Sequence, residues 1–86
     1  MGLYFLSYDL RKARNYQPLY DELERFGATR PLESVWSFEH TGATTAALRE
    51  HFKQFIDADD GLIVIKAKAW AGAKLDGTPP TPASWD

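Results

Sequence analysis

The strongest constraint on how this chain folds is a change of hydrophobic period that occurs twice along its length. "LYFLSY", from Leu3 to Tyr8, mixes aromatic and aliphatic residues in the manner of a central strand. Tyr16, Leu19, Tyr20, Leu23 and Phe26 then recur at helical spacing, with Asn15 placed to cap the start, Pro18 in the first turn and Gly27 as a stop. Segment 29–40, "TRPLESVWSFEH", alternates, with Leu32, Trp36 and Phe38 on one face and Glu33, Ser37 and Glu39 on the other. Pro31 argues against a central ladder there. The segment is therefore either a hairpin pivoting near Glu33 and Ser34 or one strand bent at that point. Thr44 or Thr45 caps a second helix whose apolar stripe is Leu48, Phe52, Phe55 and Ile56. "DADDG" closes it, and Leu62 to Ile65 is an apolar run typical of a strand covered on both faces.

This order predicts an α+β fold, the ferredoxin-like βαββαβ sandwich, with an antiparallel sheet and both helices on one face. The two greasiest runs, first and last, are expected side by side in the middle of the sheet. A length of 86 residues argues for one domain, spanning 1–69. The remaining segment, 70–86, is rich in Gly, Pro, Ala and Thr and forms neither a helix nor a core strand. Trp70, Leu75 and Trp85 predict that this irregular tail is a strap, lying across the domain or at a dimer interface.

Composition narrows the function classes. The three Trp, four Tyr and five Phe exceed what one small core easily hides, which points to an interface and a homodimer. A net charge of −2 gives the whole chain no pull toward nucleic acid, so any such binding needs a local patch. The absence of cysteine excludes disulfides and thiolate metal sites. No apolar run is long enough for a membrane span and no signal-peptide pattern opens the chain, so a cytoplasmic location is expected.

Most familiar chemistry fails on spacing. "DADDG" lacks the alternating ligands and distal glutamate of a calcium loop and reads as a solvated turn. His40 and His51 have no neighbouring ligand triplet and read as surface or strand-end histidines. A hydrolase elbow, a phosphate-binding glycine loop and a dinucleotide fingerprint are all missing. What remains is Asp9, closing the first apolar run, with Arg11, Lys12 and Arg14 just beyond it. A carboxylate at the C-terminal end of a central strand sits on the rim where ligands bind in open α/β sheets. It is equally a residue that marks where a buried strand meets water, with the cations solvated. Spacing alone leaves both readings open.

"YFLSYDL", a helix ending in "FGATR", then "ESVWSF", a second helix and "DDGLIVIK" resemble the CRISPR-associated protein 2 family and its stand-alone SinR-like relatives in the virulence-associated protein D superfamily. The resemblance covers about Leu3 to Trp70. Its most specific pieces are the "YD" ending the first strand and "SVW" where the family has S-V-F. It implies a homodimer engaged in antiviral defence and a Mg²⁺- or Mn²⁺-dependent endonuclease of RNA or DNA. By that match Asp9 is the catalytic metal ligand, and Tyr8 and Ser34 shape its site. Arg11, Lys12 and Arg14 are the candidate nucleic-acid contacts. Mg²⁺ prefers six oxygens and keeps several waters, so one carboxylate holds it weakly. A two-fold axis near Asp9 would supply a second. The competing reading is a non-catalytic dimeric scaffold that binds a protein partner through its aromatic surface and tail.

Overall fold

A computed structural model describes residues 2–82. Its elements run β1 (Gly2–Asp9), α1 (Gln17–Arg25), β2 (Thr29–Leu32), β3 (Val35–His40), α2 (Thr45–Lys53) and β4 (Gly61–Ala67). The four strands form one antiparallel sheet in the order β2-β3-β1-β4. This is the expected ferredoxin-like α+β fold. Segment 29–40 is the hairpin, with Glu33 and Ser34 as its two-residue turn between β2 and β3.

Period decides each element. Tyr4, Leu6 and Tyr8 alternate along β1 on one face, where they meet Trp36 and Phe38 of β3 in a single core. Leu19 and Leu23 of α1 and Leu48 and Phe52 of α2 complete that core, so both helices cover the same side. Phe26, Phe38 and Phe52 pack in one edge-to-face and two tilted pairs with ring centroids 5.0 to 5.9 Å apart, geometries that add quadrupole attraction to the burial of area. Thr44 caps α2 by accepting a hydrogen bond from the Ala47 N–H at 3.0 Å. Gly27 ends α1 at φ +74°, a conformation that favours glycine.

Four local expectations are corrected. β1 and β4 do lie side by side, but β4 is an edge strand, because β3 takes the other flank of β1. Ile63 and Ile65 are consequently 54% and 48% exposed rather than covered on both faces. Leu32 pairs with Val35 and is exposed, whereas Trp36 and Phe38 point into the core. On the opposite face, Ser37 is fully buried and its hydroxyl donates to the Tyr4 carbonyl. The N-cap of α1 is Tyr16 rather than Asn15, although the Asn15 side chain still accepts from the Gln17 N–H at 2.9 Å. α2 ends at Lys53, and Phe55 and Ile56 reach the core from the turn that follows.

Beyond Ala67, no helix or strand occurs among the described residues. The Asp76 N–H donates to the Pro31 carbonyl at 2.8 Å. Gly77 runs so close to β2 that a Cβ there would stand 2.9 Å from the Arg30 carbonyl oxygen, which explains a glycine at that position. Trp70 and Leu75 are half-buried, and Trp85 lies outside the described residues. Among the described residues, no helix is long and apolar enough to cross a membrane.

Candidate functional site

β1 is hydrogen-bonded on both sides, which makes its end a rigid platform. Its last residue, Asp9, pairs with Gly61 of β4, and Tyr8 donates its N–H to the Ser34 carbonyl of the β2–β3 turn. The side chain of Asp9 is 72% exposed. Asp9 lines two concavities. One, of about 340 Å³, is bounded by Tyr8, Tyr20, Arg30, Glu33 and Ser34. The other, of about 270 Å³, lies toward Gly61 and Ile63. Three residues named from the sequence, Tyr8, Asp9 and Ser34, therefore share one site.

Arg30 was not anticipated. Its guanidinium lies over the rings of Tyr20 and Trp36, at 4.9 and 5.1 Å from their centroids. It donates to the Glu33 carbonyl at 2.7 Å and to the Tyr8 hydroxyl at 3.2 Å. Trp36 donates to the same hydroxyl at 3.1 Å, and Tyr8 in turn donates to the Glu33 carbonyl. Burial pushes the Tyr8 phenol above its ordinary pKa, although the Trp36 hydrogen bond and the Arg30 charge work against it. Tyr8 thus stays protonated and serves as a fixed donor that anchors the turn carrying Ser34. The alternation of "TRPLESVW" gave no cue that Arg30 would fold back over aromatic rings contributed by α1 and β3.

The cations after Asp9 are already engaged. Arg11 donates from Nε to Asp9 at 3.0 Å and from Nη1 to the Asp59 carbonyl at 2.8 Å. Lys12 pairs with Asp59 at 2.8 Å, and Arg14 stands 3.8 Å from Asp57. Asp60 fastens the two loops, accepting from the Arg11 N–H at 2.7 Å, the Tyr16 hydroxyl at 2.6 Å and the Asp57 N–H at 2.8 Å. Partial desolvation raises the Asp60 pKa, but the three donors outweigh it and leave the carboxyl below its usual range. Desolvation, followed by the bond to Asp60, raises the Tyr16 phenol. A signal for this clasp existed: antiparallel pairing of β1 with β4 sets "DLRKAR" beside "DADDG".

The histidines lie elsewhere. His51 Nε2 is 2.5 Å from Glu22 on α1, and His40 stacks on Phe26. The Arg25 guanidinium, with help from His51, holds the Glu22 carboxyl down at about 2.

Among the described residues, no three His, Asp or Glu side chains stand together as a metal cluster. The chain offers an accessible carboxylate at Asp9 and a hydroxyl at Ser34 across the same concavity. That donor set fits a hard divalent ion that keeps most of its waters, provided a second carboxylate or a substrate phosphate joins it.

Fold and rim together define a small ferredoxin-like protein with an acidic residue presented at the end of a central strand. The family model for CRISPR associated protein Cas2 matches residues 1–73, and the chain belongs to that family. No solved structure matches the chain significantly.

Proposed function

We propose that this chain works as a homodimeric, Mg²⁺- or Mn²⁺-dependent endonuclease of RNA or DNA, with Asp9 as the metal ligand. The observation that carries this reading is the placement of Asp9: exposed, on a strand paired on both sides, between two concavities, in a chain of the Cas2 family. The bound ion would supply an activated water and stabilise charge developing on the phosphate. Asp9 holds that ion on a strand that cannot swing. Ser34 shapes the opposite wall, and Tyr8 keeps the Ser34 turn in register. Arg11, Lys12 and Arg14 meet the phosphate backbone once they exchange their acidic partners for it. Two copies related by a two-fold axis near Asp9 bring the second carboxylate, and the exposed Ile63 and Ile65 with segment 70–86 form the contact between protomers.

A second reading, a non-catalytic dimeric scaffold for a protein partner, is favoured by the cations' existing ion pairs and by exposed Leu32. The two separate on Asp9→Asn. The nuclease reading expects loss of metal-dependent cleavage of single-stranded RNA and duplex DNA, with the fold and dimer retained. A wild type that neither cleaves nor responds to Mn²⁺ leaves the scaffold reading in its place.

A further inference from the structure

We infer that Arg11 is a built-in counter-cation that occupies Asp9 at rest and competes with a divalent metal for it. The inference rests on the metal reading of Asp9. The Arg11 guanidinium is held at two points, and its backbone at a third. Nε donates to Asp9 Oδ2 at 3.0 Å, Nη1 donates to the Asp59 carbonyl at 2.8 Å, and the backbone N–H donates to Asp60 Oδ1 at 2.7 Å.

The slot is shaped by the residue paired with Asp9. A Cβ on Gly61 would stand 3.1 Å from Arg11 Nη2 and 3.6 Å from the Asp9 Cβ, so the bare backbone there lets the guanidinium lie flat against the rim. The loop does not depend on the guanidinium for its place. The Arg11 N–H bond to Asp60, and the Tyr16 bond to the same carboxylate, persist if the side chain swings out.

Charge sets the two occupants in competition. A dication on Asp9 would lie within a few ångströms of a guanidinium that touches the same carboxylate, and they would repel. Arg11 leaving Asp9 takes its donors to the phosphate that the metal also binds. Metal and phosphate therefore bind with positive coupling, since each favours the displaced side chain. Arg11 is a positioning residue in this account. It lowers the metal affinity of the resting chain until a phosphate arrives.

The test is a Mn²⁺ titration, read by electron paramagnetic resonance of free Mn²⁺ and by thermal shift, without nucleic acid. Arg11→Gln should bind Mn²⁺ about three- to tenfold tighter than wild type at low salt, with the gap narrowing as ionic strength rises. Gly61→Ala, which crowds the guanidinium but keeps its charge and the strand, should move affinity the same way by less. Both gains should vanish when Asp9→Asn is added. Unchanged or weaker Mn²⁺ binding in Arg11→Gln and Gly61→Ala, with binding still abolished by Asp9→Asn, overturns the counter-cation role and leaves the metal reading standing. If no variant shows binding that depends on Asp9, the metal reading itself fails and takes this inference with it.

Discussion

The two faces of the sheet obey different rules although the same strands build both. On the helix side, Tyr4, Leu6, Trp36 and Phe38 meet α1 and α2, and each is at most 4% exposed. On the other side, Ile63 and Ile65 of β4 sit opposite Ser7 and Phe5 of β1 and remain about half exposed. Both faces are apolar enough to bury. Only the helix side is covered along its whole width; on the other side Leu3 and Ser37 are buried, but the β4 isoleucines are not. Apolarity alone therefore does not locate a core: a sheet face needs a second element to pack on it, and β4 at the edge lacks one on that side.

That contrast can be broken at four positions, in descending order of effect on stability, with Asp60 set beside the last as its control. Phe52→Ala opens a cavity under the covered face and should lower stability by about 3–5 kcal/mol, measured by denaturant unfolding. A loss below about 1 kcal/mol would mean the face is not close-packed. Glu22→Gln removes a carboxylate bonded to Arg25 on its own helix and to His51 on the other. The folded carboxyl sits at about 2 against an ordinary value of 4.5, so its contribution is present above pH 4.5 and lost as pH falls toward 2. Acid unfolding of wild type should show a slope in that window, and the Gln variant should flatten it.

The uncovered face should respond in assembly rather than in folding. Ile65→Lys is expected to change monomer stability by no more than about 0.5 kcal/mol. It should nonetheless shift sedimentation toward monomer if this face is the contact between copies. A wild type that sediments as a monomer at micromolar concentration removes the premise. Asp9→Asn should alter the melting temperature least of all, since the side chain is exposed and holds only Arg11 among the described residues. It should still abolish the Mn²⁺-induced rise in melting temperature. Asp60→Asn is its contrast, because three donors converge on that carboxylate, and a clear fall in melting temperature is expected with or without metal.

Local pattern by itself determined the helix-and-strand order, both helices, a threonine cap at 44 or 45, the Gly27 stop and the placing of Asp9 at a strand end, because these depend on residues within one turn or one strand of each other. Pairing and layering were decided only by tertiary structure. The sequence left open whether 29–40 is a hairpin, put β4 in the middle and misjudged the face of Leu32. Those outcomes depend on which strand lies alongside and what covers it, and residues far apart in the chain settle them. The site divides in the same way. The apolar run before Asp9 made it legible as a rim carboxylate, whereas Arg30 over Tyr20 and Trp36, and Arg11 pinned between Asp9 and Asp59, exist only once the sheet and its loops converge. A local pattern records what each residue prefers, and a charge's partner is chosen by the three-dimensional neighbours that compete for it.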